Sequence, residues 1–112
     1  MTFKEGVTKA NTQPPIYYAI GAAEVIYTSF GHRLVVTALT DGHEDRPLSL
    51  HNKGLAVDLR TRDIPADGLG PVFGSLTNLL NPLGFDVVLE KDHIHIEYDP
   101  KGGETWLRMD QA

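Results

Sequence analysis

In the stretch His93-Ile94-His95-Ile96-Glu97, polar and apolar side chains alternate without a break. A period of two marks a half-buried β-strand and is incompatible with an amphipathic helix, whose apolar side chains recur every three or four residues. In a strand, His93, His95 and Glu97 share one face, while Ile94 and Ile96 turn to a core. Imidazoles two residues apart on that face stand about 7 Å from each other, so both can approach one site. The segment therefore either binds a ligand or simply exposes a polar face.

The rest of the chain supplies what such a strand needs. Phe85-Asp86-Val87-Val88-Leu89 reads as a second strand, joined to the first at Glu90-Lys91-Asp92. Leu34-Val35-Val36-Thr37-Ala38-Leu39 is short and β-branched, and reads as a buried strand. Leu55, Val57 and Leu59 alternate with Ala56 and Asp58 in another. From Ile16 onward, Ile16, Ala19, Ile20, Ala23, Ile26 and Phe30 fall on one helical face, with Gly31 placed to follow the helix. A second helix is expected between about residues 70 and 80, with a core stripe of Val72, Phe73, Leu76, Leu79, Leu80 and the trailing Leu83. Asn81-Pro82 and Gly84 end it. Residues 1–15, ending in Pro14-Pro15, read as an extended arm. Residues 99–112 read as a loosely held tail that Trp106 would dock. The order α-β-β-α-β-β predicts an α+β domain, a small, largely antiparallel sheet with two helices packed on it.

A chain of 112 residues is one domain with a modest core, to whose stability a bound metal would add. The net charge of -5 and the scattered basic residues lack the footprint of nucleic-acid binding, and no cationic patch for anionic membranes is present. Without cysteines, thiolate zinc ligation, a disulfide framework and a cysteine nucleophile are excluded. Residues 1–6 hold no apolar run for a signal peptide, and nothing approaches the roughly 20 apolar residues of a membrane span. Cytoplasmic synthesis as a soluble monomer, without membrane insertion, is the expectation.

Asp58 lies in an apolar strand, and a carboxylate there needs a partner, because unpaired burial costs several kcal/mol or shifts its pKa. A metal would serve, and so would Arg60 or Arg62. Gly54 is suited to relieve crowding where the backbone turns toward the site. Ser49-Leu50-His51 through Ala56-Val57-Asp58 and Asp92-His93-Ile94-His95 together supply two imidazoles and a carboxylate. That is the ligand type of a catalytic zinc that keeps one position open for water.

The pattern Ser49-x-His51-x-x-Gly54-x-Ala56-x-Asp58, followed by a helix and Asp92-x-x-His95, resembles the zinc D-Ala-D-Ala carboxypeptidase and L-Ala-D-Glu endopeptidase superfamily. That group includes phage endolysins and vancomycin-resistance dipeptidases and shares its fold with the hedgehog signalling domain. The likeness spans roughly residues 33–98, with both motifs in the family's order. It implies His51, Asp58 and His95 as ligands of one catalytic zinc, with a water in the fourth position. It also implies a carboxylate that takes the water's proton and returns it to the leaving amine. The acidic residue three positions before the last ligand maps to Asp92, which is favoured as base. Hedgehog-like members place a glutamate further upstream, and that maps, with a shift of one, to Glu90. His93 is a candidate to hydrogen-bond the oxyanion, or an exposed histidine.

Ser49 is a candidate to bond substrate or orient its loop. Carboxypeptidase members carry an arginine after the first strand to bind a substrate carboxylate, and Thr37-Ala38-Leu39-Thr40-Asp41 has none. Arg46 is the nearest replacement. Asp41, Glu44 and Asp45 are oxygen donors that would suit calcium, or an ordinary charged loop. The expected function is hydrolysis of peptide bonds in peptidoglycan stem peptides by a lysin-like, phage-type enzyme acting on the wall after release or delivery. The alternative is a catalytically silent zinc-binding interaction module of hedgehog-like fold.

Overall fold

The computed structural model describes residues 1–40, 50–51 and 53–100. Along the chain run β1 (Thr2–Phe3), α1 (Pro14–Ser29), β2 (Val35–Ala38), β3 (Ala56–Arg60), α2 (Ala66–Leu80) with a 3-10 turn (Asn81–Leu83), β4 (Phe85–Leu89) and β5 (His93–Tyr98). The five strands form one mixed sheet in the order β1-β2-β3-β5-β4, with two helices, a small α+β architecture. β1 pairs with β2 in parallel, and the other pairs are antiparallel.

The alternation in β5 divides the sheet into two faces. Ile94 and Ile96 are fully buried and join Val57 and Leu59 of β3 beneath the helices. Burying one such side chain contributes about 1.5–3 kcal/mol. The opposite face carries His93, His95 and Glu97 on β5, set in register against Arg60, Asp58 and Ala56 on β3. Among the described residues no helix is long and apolar enough to cross a membrane.

Several sequence expectations shift. Pro14 and Pro15 do not end the arm but open α1, where a missing N–H costs nothing and φ is already helical. The start of the arm is tied to the sheet: Thr2 N–H donates to Leu34 O at 3.0 Å and Lys4 N–H to Val36 O at 2.8 Å, which makes it an edge strand. On α1 the buried face is Ile16, Ala19, Ile20, Ala23 and Tyr27, and Phe30 is 44% exposed. Phe30 caps the helix, and Gly31 behind it takes φ +80°. His32 N–H then reaches Tyr27 O and Gly31 N–H reaches Thr28 O, the paired bonds of a Schellman turn. Phe30 therefore leaves the helical face, and Tyr27 fills the core, its hydroxyl donating to Arg60 O at 2.9 Å.

The second helix starts at Ala66 rather than near residue 70. Gly68, Gly70 and Pro71 look like breakers, yet one proline in the second turn removes only the bond to Asp67 O, and burial of Val72, Leu76 and Leu80 outweighs it. Leu79 and Leu83, expected in the stripe, are 42% and 37% exposed. In the tail, Asp99 N–H donates to Gly84 O, and residues 101–112, Trp106 included, lie outside the described residues.

Candidate metal centre

The centre is assembled from two adjacent strands and one tight turn. Asp58 and His95 are directly opposed in the antiparallel register of β3 and β5, so their side chains leave the sheet side by side. His51 arrives from the turn before β3, closed by Leu55 N–H to Leu50 O at 2.8 Å and Gly54 N–H to His51 O at 3.0 Å. Gly54 sits at φ +72°, and a Cβ there would lie 1.9 Å from the Asn11 carbonyl oxygen. Its own carbonyl accepts from Gln13 N–H at 2.9 Å. Only glycine lets this turn press against the segment before α1, and that contact holds His51, 4% exposed, at the site.

Asp58 Oδ1 is the point of convergence. It lies 2.9 Å from His95 Nδ1, 3.2 Å from His51 Nε2 and 3.7 Å from His93 Nε2. Among the described residues Asp58 is met by imidazoles rather than by an arginine, and Arg60 instead approaches Asp63 at 4.0 Å. The far nitrogens decide the chemistry. His51 Nδ1 lies 2.5 Å from Leu39 O, and a carbonyl only accepts, so Nδ1 carries the proton. His95 lies between two carboxylates, Nε2 2.8 Å from Glu97 Oε1 and Nδ1 2.9 Å from Asp58 Oδ1, so a proton held on Nε2 by Glu97 leaves Nδ1 as the ligating nitrogen. With the far nitrogens protonated, both imidazoles aim a bare nitrogen at a carboxylate oxygen. Three lone-pair donors facing one another repel unless something positive lies among them, either protons or a metal ion. One ligand atom from each of His51, Asp58 and His95 lies within 4.8 Å of the others, so this group can hold a metal ion.

Without metal, protons take that role. Burial pushes the Asp58 carboxyl up, but hydrogen bonds from His51 and His95 outweigh it and hold it well below the usual carboxylate range. The hydrogen bond to Asp58 raises His95 above its ordinary 6.5, against the opposing effect of burial. A raised histidine contributes stability that is complete below 6.5 and is lost as pH rises through the folded value. A depressed carboxylate contributes stability that is present above 3.8 and is lost as pH falls through the folded value. Metal-free protein is therefore expected to be most stable between about pH 4 and 6.5, its melting temperature declining on the alkaline side. Thermal unfolding in chelator from pH 4 to 9 checks this, and an alkaline limb that does not fall would rule out the His95–Asp58 pair.

The remaining candidates separate. Asp92 lies in the bend joining β4 to β5, where Glu90 N–H donates to His93 O at 2.8 Å to close a hairpin. The Asp92 side chain is 82% exposed, and its Oδ1 lies 2.6 Å from His93 Nδ1. That hydrogen bond holds the Asp92 carboxyl below its ordinary value. His93 is thus anchored at one nitrogen by Asp92 and turns the other toward Asp58. Glu90 is exposed, across the hairpin turn from His93. Ser49, Arg46, Asp41, Glu44 and Asp45 lie outside the described residues. Sequence reasoning placed Glu97 on the histidine face but assigned it no role, and it did not anticipate the Leu39 carbonyl. The signal for Glu97 was present, since it is the next residue of the same alternation. Comparison with protein-family models, with curated proteins and with solved structures found no match.

Proposed function

We propose that this chain is a zinc metallopeptidase that hydrolyses peptide bonds in peptidoglycan stem peptides, a lysin-like enzyme of the hedgehog/DD-peptidase fold. The observation that carries the reading is the convergence of His51 Nε2, His95 Nδ1 and Asp58 Oδ1 on one point. Zinc is favoured because a tetrahedral ion with ligands at 2.0–2.2 Å spaces its ligand atoms by about 3.3 Å. The two nitrogens stand 3.2 and 2.9 Å from Asp58 Oδ1. Two imidazoles and one carboxylate are also the set of a catalytic zinc with an open position.

Zinc held there would polarise the scissile carbonyl and acidify a water. The chain's own contribution is the Asp92–His93 pair at the rim. Because His93 Nδ1–H donates to Asp92, His93 Nε2 is bare and suited to accept a proton from the attacking water. Protonated, it can hydrogen-bond the developing oxyanion or return the proton to the leaving amine. Asp92 thereby acts through His93, and Glu90 is the alternative acceptor. Ser49 and Arg46 are proposed to bind substrate. Action on the cell wall, a monomeric state and independence from nucleic acid belong to the same reading.

The test is zinc uptake followed by digestion of purified peptidoglycan. One zinc per chain is expected, with muropeptide release that stops in chelator and returns on zinc addition. Asp92→Ala should slow release by about 100-fold, the scale of one general acid–base group. Loss in Glu90→Ala but not in Asp92→Ala would move the base to Glu90. Zinc uptake without any cleavage would favour the silent interaction module, and no uptake would remove the whole reading.

A further inference from the structure

The two histidines of the centre are oriented by different kinds of partner. His51 is held by a backbone carbonyl, which no substitution at Leu39 removes. His95 is held by a side chain, Glu97 Oε1 on its Nε2 at 2.8 Å. Glu97 is also badly placed for the sheet. It faces Asp86 across the β4–β5 register, and carboxylate oxygens of Asp86, Glu97 and Asp99 lie within 4.8 Å of one another. Like charges directly opposed work against strand pairing, so sheet stability does not explain a glutamate there. What Glu97 gains at this position is the His95 N–H.

We infer that Glu97 is a positioning residue of the metal centre, fixing the His95 ring so that Nδ1 is the nitrogen presented beside Asp58 and raising the affinity for zinc. The inference rests on the zinc reading above. Its physical basis is general: a carboxylate on the far N–H of a ligating imidazole selects the tautomer, stops ring rotation and makes the near nitrogen a better donor. Glu97 is not one of the three groups that meet at Asp58 Oδ1, so its effect on that centre passes through His95, and the Asp86→Asn variant distinguishes it from metal held by the Asp86, Glu97 and Asp99 carboxylates.

The experiment is a zinc titration of metal-free full-length protein against a competing chromophoric chelator, for wild type, Glu97→Ala, Glu97→Gln and Asp86→Asn. Thermal unfolding of each metal-free protein is followed in parallel. Glu97→Ala should weaken zinc binding by about 10- to 100-fold. Glu97→Gln keeps an oxygen that accepts from Nε2–H and should recover a substantial part of that loss. Asp86→Asn removes a neighbouring charge without touching His95 and should stay within about twofold of wild type. Glu97→Gln loses both the repulsion from Asp86 and the ionic part of the bond to His95, so its metal-free unfolding should stay close to that of wild type, which separates positioning from a structural role. Wild-type zinc binding with Glu97→Ala unchanged, or with Asp86→Asn equally weakened, would overturn the role of Glu97 and leave the metal centre standing. A wild type that takes up no zinc would overturn both.

Discussion

Asp58→Ala should abolish metal binding more completely than any other single change, weakening zinc affinity by on the order of a thousandfold, about 4 kcal/mol at 1.4 kcal/mol per decade. Among the described residues, Asp58 supplies the negative charge at the point of convergence and the oxygen that both His51 Nε2 and His95 Nδ1 approach. Alanine leaves two bare nitrogens that still repel and nothing to offset the ion's charge. The same change should act in the opposite direction on the pH profile. Without Asp58, His95 loses the largest cause of its raised pKa, so the alkaline decline of metal-free stability should largely disappear. Isothermal titration with zinc and a melting series from pH 5 to 9 would give both results. Zinc affinity that survives Asp58→Ala would show that the histidines bind elsewhere, and the proposed centre would fall with it.

Gly54→Ala should be the most damaging substitution for the fold, although glycine and alanine differ by one methyl group. The residue holds φ +72°, where a side chain costs about 1–2 kcal/mol. The added Cβ would lie 1.9 Å from Asn11 O and 2.8 Å from Asn11 C, and both are backbone atoms that no rotamer can move aside. Relief requires the segment before α1 to separate from the turn, which loses the bond from Gln13 N–H to Gly54 O, about 1 kcal/mol. The sum is about 2–3 kcal/mol, a fall in melting temperature on the order of 10 °C for a domain this size. Because this turn delivers His51, zinc affinity should fall in the same variant even at temperatures where it remains folded. Differential scanning calorimetry with and without zinc measures both effects. An unchanged melting temperature would mean that the turn and residues 11–13 do not pack as described.

The two results would show how far fold and centre share the same residues. Asp58 is tolerated in its strand because imidazole nitrogens surround its carboxylate with protons or a metal ion among them. His51 in turn is held at the site because Gly54 lets the chain close on itself.

Much of this was legible along the chain. The alternation from His93 to Glu97 determined which side chains face the helices, because successive residues of a strand must point to opposite faces whatever surrounds them. Gly31 was readable as the residue after a helix and Gly54 as the point where the backbone turns toward the site, and both take positive φ. What misled the reading was also local. Phe30 continues a helical stripe on paper, but the helix ends before it, and Pro71 looks like a helix boundary although it lies inside one.

The nitrogen that each histidine presents was decided only in three dimensions. His51 takes its tautomer from Leu39 O, 12 residues away, and meets His95 at Asp58, which lies 37 residues before His95 in the chain. Strand periodicity is a property of the backbone and is present in any short segment. A tautomer is set by whichever acceptor lies within hydrogen-bond reach of the far nitrogen, and only the packed sheet and its adjoining turn bring those acceptors there.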